Sequence, residues 1–409
     1  MKGSNILHVI PAVAPRYGGP SAAIIGMCQA LRDLGLSTLV ATTDADGASR
    51  LDVDDGEVQD YEGIPMVFFP RQASEAYKWS APLAVWLRQH VRDFNVVHIH
   101  AVFSHSSVAA ARACLNQQVP YVLRPLGTLD PWSLNRHRWR KELLIRFGAG
   151  RLLAGAAAMH YTTDVERRLA ERGMAWLPRG RVIPLGVEDA LFGGTTQTNA
   201  APYILTLCRL DPKKGVDLLI QAFHDVVKAG SAGEWKLIIA GDGDSSYVAR
   251  LKQAAEQGEA RSRITFEGWV AGDERLSLLR DARLFALPSS QENFGVAVVE
   301  ALASGVPVVV SPEVNLAPDI EGHEAGWVIP RERQALAEGL ARLIADGAAL
   351  TERRAKARQF AGRFRWTAIA DALRQFYADI LHTRAAVDEH LDAVTEAEYR
   401  AARRPDRER

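Results

Sequence analysis

The chain of 409 residues predicts an α/β fold of two doubly wound domains, and three observations carry that prediction. Short apolar, β-branched runs alternate with amphipathic stretches of helical period, the pattern of parallel sheets covered on both faces. The alternation occurs twice, and between the two series lies Gly193-Gly-Thr-Thr-Gln-Thr-Asn-Ala-Ala201, which has no periodicity and reads as a linker. Hydrophobic residues make up 47% of the chain, enough to fill two cores of ordinary size.

The first series places strands at 5–10, 37–42, 64–69, 96–101, 120–124, 157–162 and 181–185, with helices at 20–34, 81–93, 105–117, 136–153 and 164–172. Thr163 and Glu166 form a capping-box pair that starts the last of these helices. The second series places strands near 203–208, 235–240, 263–267, 283–287, 306–311 and 326–329, with helices at 216–229, 245–257, 272–281, 295–304 and 333–346. Helices at 350–362 and 366–381 close the fold. The organisation is therefore an N-terminal domain over 1–190, a linker over 191–202, a C-terminal domain over 203–382 and a charged tail over 383–409. No repeat of solenoid period is present.

Charge and cysteine usage narrow the function classes. Forty-nine Lys and Arg balance 49 Asp and Glu, so no global field draws in nucleic acid. Cys28, Cys114 and Cys208 are far apart and follow no metal or redox spacing, which fits buried thiols in a reducing cytoplasm. The apolar run Asn5–Ile10 before Pro11 is too short for a signal-peptide core, and no apolar run reaches the ~18 residues of a membrane span. The expectation is a cytoplasmic protein, soluble or peripheral on a membrane face.

Residues 285–311 say most about chemistry: strand, polar loop, helix and strand in succession, with Glu292 in the loop and Glu300 within the helix. The loop lies at a helix N-terminus, where free N–H groups favour an anion. Gly295 lets an oxygen-rich ligand approach the backbone. The two carboxylates are up to about 12 Å apart along the helix axis, the span of a diphosphate with a hydroxylated ring at each end. Each can accept two hydrogen bonds from a vicinal diol. The plain alternative is a buried helix with one Glu on its solvated side and one in the preceding loop.

The stretch resembles the Glu-x7-Glu signature of the retaining glycosyltransferases of family four, through Ser289 or Ser290, Glu292, Phe294, Gly295, Glu300, Ala301, Gly305 and Pro307. The resemblance covers roughly residues 5–380 and is strongest in the second half. It implies the GT-B fold, two Rossmann-like domains facing a central cleft, and transfer of a hexose from a nucleotide-diphosphate sugar to a hydroxyl with retention of configuration. In that setting Arg209 and Lys214, flanking the turn Leu207–Gly215, stabilise the leaving diphosphate, and basic residues in a loop are otherwise a solvated turn. Glu300 holds the ribose. Glu292, with Asn293 and the backbone of Phe294, Gly295 and Val296, holds the sugar.

Further positions follow from the same resemblance. Gly18 and Gly19, after the first strand, match the Gly-Gly loop that opens the N-domain, with Arg16 adding a cation. This turn lacks the full Gly-x-Gly-x-x-Gly of dinucleotide binders. His98 and His100 share one face of a strand end and could chelate a metal, but no acidic or thiol partner lies nearby in sequence. The resemblance assigns His100 to the outer edge of the donor sugar and leaves His98 structural. Gly241 and Gly243 shape the nucleotide pocket, and Trp269 and Val270 meet the base through their backbone. Asp52 and Asp54 superficially offer an Asp-x-Asp metal pair but read as a solvated acidic loop, so no cofactor and no metal is expected.

The acceptor side is read from residues 125–147. Trp139, Leu143 and Phe147 recur on one helical stripe, with Arg138, Arg140, Lys141, Arg146 and Arg151 around it and Trp132 nearby. An ordinary helix packing its stripe on the sheet would look the same. The clustered tryptophans and arginines also suit an anionic bilayer surface, which predicts docking on the cytoplasmic leaflet and a lipid-linked saccharide acceptor. Thr128 and Asp130 are the candidate acceptor contacts. A GT-B-fold sugar-nucleotide epimerase and a non-catalytic carbohydrate-binding protein are the alternatives.

Overall fold

The computed structural model describes residues 4–130, 133, 149–193 and 201–402, with side chains through Arg384. Its first half contains strands β1 (Asn5–Val9), β2 (Ser37–Thr43), β3 (Ala45–Asp46), β4 (Ser49–Arg50), β5 (Val58–Tyr61), β6 (Ile64–Phe69), β7 (Val96–His100), β8 (Tyr121–Arg124), β9 (Ala158–Tyr161) and β10 (Gly180–Val182). They form a sheet of order β10-β9-β8-β7-β1-β2-β6-β5, with β3 and β4 as a separate small hairpin. Every pairing in the large sheet is parallel except β5 with β6. Runs such as Val96-Val-His-Ile-His100 are buried along their whole length because helices cover both faces.

The second half contributes β11 (Tyr203–Leu207), β12 (Lys236–Ala240), β13 (Ile264–Gly268), β14 (Leu284–Leu287), β15 (Val308–Val310) and β16 (Gly326–Val328). Their order is β13-β12-β11-β14-β15-β16, and all five pairings are parallel. In both sheets the order reverses beside the first strand, between β1 and β7 and between β11 and β14. A crevice opens at the carboxyl ends of the strands at such a reversal, which is where doubly wound sheets bind ligands.

The last helix, Trp366–Ala402, leaves the second half and returns to the first. Ile369, Leu373, Phe376, Tyr377 and Ile380 pack into a core shared with Ile6, Ile24, Met27, Val40 and Phe68. Trp366 fits there only because two glycines face it: a Cβ on Gly26 would lie 2.5 Å from its ring and one on Gly186 2.2 Å away. The helix runs to Ala402, where the sequence suggested a charged tail from 383. Charge does not oppose a helix in a stretch this rich in Ala and Glu.

Three further elements escaped sequence reading. The β3–β4 hairpin and β5 are short and largely polar, and the helix Ala317–Gly322 has one turn and a half. The stretch 134–147, which carries the aromatic stripe and most of the basic cluster, lies outside the described residues, as does Trp132; Arg151, in the helix Gly150–Ala154, is exposed. Among the described residues no helix is long and apolar enough to cross a membrane.

Candidate functional site

In the C-terminal sheet, the loops after β11 and β14 border the reversal. They approach so closely that a Cβ on Gly215 would stand 2.2 Å from the Pro288 carbonyl oxygen, and Gly215 has φ +70°. Ser290 N donates to the Lys213 carbonyl across the gap (2.7 Å). This contact brings Lys214 and Glu292 together as a hydrogen-bonded ion pair, both largely buried. Arg209, on the same loop, is exposed and has no side-chain partner among the described residues. Burial, then the adjacent Lys214 ammonium, lowers the pKa of Lys213.

Gly295, at φ +77°, caps the helix Val296–Ala303, which opens toward the crevice. One face of this helix is core, and Phe294 is buried edge-on against Phe364, so only its backbone can meet a ligand. Glu300 accepts from Arg275 Nη1 (2.5 Å), and Arg275 Nη2 donates to Glu188 Oε1 (2.7 Å). Burial lifts the Glu300 carboxyl above the usual range, and the Arg275 guanidinium pulls against that lift. Arg275 was not singled out from sequence: it stands 25 positions from Glu300 in another helix, with no local motif. Thus each carboxylate of the pair is met by its own cation.

Gly241 has φ +127°, and a Cβ there would lie 1.9 Å from the Cys208 carbonyl oxygen; a Cβ on Gly243 would lie 2.0 Å from that of Leu210. Both glycines therefore let the loop after β12 lie against the loop carrying Arg209. Trp269 follows Gly268 at the end of β13 and is 61% exposed, while Val270 is buried.

The N-terminal edge meets this surface directly. Gly18 has φ +73°, and Gly19 starts the helix Gly19–Asp33, where a Cβ would touch Val296 at 3.1 Å. Arg16 pairs with Asp46 (2.5 Å). Asn293 Nδ2 donates to Thr162 Oγ1 (3.0 Å), and a Cβ on Gly127 would clash with Asn293 at 2.8 Å. Gln291 Nε2 donates to Asp130 Oδ2 (2.9 Å), and Ser133 N donates to Asp130 Oδ1 (2.5 Å). Asp130 is thus buried at the contact between the two halves, with each carboxylate oxygen accepting one hydrogen bond. Thr128 Oγ1 turns back onto the Pro125 carbonyl (2.6 Å). The capping pair is also refined: Thr163 accepts from Glu166 N, but the Glu166 carboxylate accepts from Thr162 N and Gly127 N, bracing the 127 loop.

His100 is buried, not open to the crevice, and belongs to a network invisible in sequence because its members come from neighbouring strands. His8 on β1 and His160 on β9 join His98 and His100 on β7. Burial holds all four rings neutral, with His8 and His160 lowered to about 3 and His98 and His100 well below the ordinary value. Neutral rings carry one proton each, so the contacts fix the tautomers. His160 Nε2–H donates to the Ile183 carbonyl (2.7 Å), so His160 Nδ1 accepts from His98 Nε2–H (3.1 Å), and His98 Nδ1 accepts from the Tyr377 hydroxyl (2.7 Å).

In the second chain of bonds, Arg124 Nη1 donates to His100 Nδ1 (3.2 Å), so His100 Nε2–H donates to His8 Nδ1 (3.0 Å). His8 Nε2–H and the Nε and Nη2 groups of Arg124 are buried without a partner among the described residues. His8, His98 and His100 lie close enough together to ligate one ion. Five of their six nitrogens are already hydrogen-bonded, and the Arg124 guanidinium adjoins them, so the donor set is poorly suited to a cation. Asp52 and Asp54 are exposed or nearly so, in the loop before β5.

Comparison with known proteins agrees with this geometry. Residues 18–186 match the family described as Glycosyl transferase 4-like domain, and residues 191–363 match Glycosyl transferases group 1. A glycosyltransferase of Methanocaldococcus jannaschii is 36% identical over 145 residues, 35% of this chain and 36% of the relative. The GDP-mannose:cellobiosyl-diphosphopolyprenol alpha-mannosyltransferase of Komagataeibacter xylinus is 23% identical over 387 residues, 92% of this chain and 93% of the relative. Among solved structures, Anabaena HepE in complex with UDP and glucose superposes with a TM-score of 0.72 at 20% identity, covering 92% of this chain and all of that one. With two facing doubly wound sheets and both halves matched, the chain belongs to the group 1 glycosyltransferases and has the GT-B fold.

Proposed function

We propose that the protein transfers a hexose, with retention of configuration, from a nucleotide-diphosphate sugar to a hydroxyl of a lipid-linked saccharide in polysaccharide assembly. The observation that carries the donor half is the pairing of each carboxylate with a cation around the β11–β14 reversal: Lys214 with Glu292, and Arg275 with Glu300. A nucleoside diphosphate supplies what such a groove lacks, namely phosphate oxygens for Lys214 and Arg209 and vicinal hydroxyls for the two glutamates. As the glycosidic bond breaks, charge grows on the leaving phosphate, and the largely buried Lys214 together with Arg209 stabilises it. The Arg275 fork orients Glu300 toward the ribose, and Glu292, once released by Lys214, takes the sugar hydroxyls.

Arg124 keeps His100 in the tautomer with its proton on Nε2, ready to donate to a sugar hydroxyl if the ring turns from His8. The acceptor class is supported by the Komagataeibacter relative, whose name specifies a cellobiosyl-diphosphopolyprenol acceptor and which aligns over nearly the whole chain. Peripheral docking on an anionic leaflet accords with that acceptor. The test is a panel of nucleotide sugars read by thermal shift: a donor at 100 times its dissociation constant stabilises the protein by about 2.7 kcal/mol. Transfer from the stabilising donor to a saccharide glycoside then confirms the reaction, and a panel without any stabilising nucleotide sugar refutes it.

A further inference from the structure

We propose that Tyr77, Trp79 and His105 form a saccharide-binding platform that holds a pyranose ring of the acceptor at the N-terminal edge of the cleft. The inference rests on the glycosyltransferase reading and names the acceptor subsite within it. β6 ends at Phe69, and the loop that follows leads to Ser80, the N-cap of the helix Ala81–His90. β7 ends at His100, and its loop leads to the helix His105–Gln117. Both loops therefore lie along the carboxyl edge of the sheet; the loop after β7 borders the β1–β7 reversal where the crevice opens, and the loop after β6 reaches it through the contacts of Tyr77 and Trp79 with His105.

The three rings are in contact there. The His105 ring lies 5.4 Å from that of Trp79 and 6.0 Å from that of Tyr77, centroid to centroid. Trp79 is 38% exposed, a large apolar surface left in water on a loop that is otherwise tightly tied. His105 N donates to the Tyr77 carbonyl (2.9 Å), and Gln72 N donates to the Trp79 carbonyl (2.9 Å). Arg71 Nη1 donates to the Gly47 carbonyl (2.6 Å), and Lys78 Nζ pairs with Glu75 (2.7 Å). An aromatic face held this firmly loses little entropy on binding.

The polar tips point to the same ligand. Ser80 N donates to His105 Nδ1 (3.1 Å), so the neutral ring carries its proton on Nε2. Burial, then the Arg112 charge, lowers the His105 pKa and keeps the ring neutral in ordinary buffer. Among the described residues the His105 Nε2–H, the Tyr77 hydroxyl and the Trp79 indole N–H have no partner, and the tips of Tyr77 and His105 reach solvent. A pyranose with equatorial substituents has a flat face of axial C–H groups and a rim of hydroxyls. That face suits an indole, and the rim suits donors at its edge. A β-glucosyl unit has this shape.

The experiment uses the full chain and methyl β-cellobioside as the probe. Saturation-transfer NMR measures its binding to the wild type, Trp79→Ala, Trp79→Phe and His105→Ala, and calorimetry measures the binding of UDP and GDP to each. Trp79→Ala is expected to weaken the glycoside about tenfold or more, Trp79→Phe less, with nucleotide affinity unchanged. Equal glycoside binding by the wild type and Trp79→Ala, or no saturation transfer to the wild type, overturns the platform. Loss of glycoside binding in Trp79→Ala without any glycosyl transfer by the wild type leaves the platform standing and refutes the transferase reading. Transfer with an unchanged acceptor KM in Trp79→Ala does the reverse.

Discussion

Lowering the pH from about 7.5 to about 5.5 should remove about 5.5 kcal/mol of folding stability, because four neutral histidines are buried together in the N-terminal half. His8, His98, His100 and His160 have depressed folded pKa values, caused first by burial. In the unfolded chain each titrates near its ordinary value of 6.5. Below that value the unfolded state binds protons that the folded state refuses, so stability is complete above it and falls as the pH drops toward about 3. Each histidine costs about 1.4 kcal/mol one pH unit below its unfolded value, and four give the stated total. Every charged group near the cluster works in the same direction or is weak: Arg124 repels added charge, and Tyr377 stays neutral. Glu300, whose pKa is raised first by burial, binds its proton more readily in the folded state and so acts in the opposite direction. Urea unfolding at the two pH values, followed by near-ultraviolet circular dichroism, measures the difference. His160→Gln, whose amide can replace both ring hydrogen bonds, should reduce the fall by about a quarter. A fall of less than about 1.4 kcal/mol in the wild type would show that the folded network accepts protons, and the tautomer assignments would then be wrong.

Three other outcomes are expected. Arg209→Ala and Lys214→Ala should each reduce kcat about a hundredfold, as for loss of one electrostatic stabiliser, and near-normal turnover in both removes them from the reaction. Turnover should be unchanged in EDTA, since protein cations stand at the β11–β14 reversal; activity lost to chelation and restored by a divalent ion contradicts this. Arg275→Ala should raise the donor KM about tenfold while leaving the acceptor KM alone, and the opposite split would detach Arg275 from the ribose carboxylate.

The parallel strands were legible because short runs rich in β-branched residues, such as Val96–Ile99 and Val308–Val310, have few other uses in a chain that alternates them with amphipathic helices. The Glu292–Glu300 stretch was legible because its signature is local. What sequence could not supply was partnership between distant elements. His8 meets His100 only because β1 and β7 are neighbours in the sheet, and Arg275 reaches Glu300 from a separate helix. Nothing near Asp130 in the sequence signals its hydrogen bond with Gln291, 161 positions away in the other half. The β3–β4 hairpin was missed for a different reason: two-residue strands leave no periodicity to read.

The return of the last helix to the first half has a consequence for biosynthesis. Ile6, Ile24, Met27 and Phe68 leave the ribosome early, but Leu373, Phe376 and Tyr377, which pack into the same core, emerge about 300 residues or more later. At roughly 5 to 20 residues per second, the N-terminal sheet waits on the order of 10 to 40 s after its own residues are made before its missing layer arrives. During that interval one face of the nascent sheet is covered only in part, by the helix Gly19–Asp33, so the two halves cannot mature as independent beads on a string. A premature stop that removed only the segment after Phe364 would leave the second sheet intact and strand the first, making the N-terminal half the casualty of a C-terminal truncation.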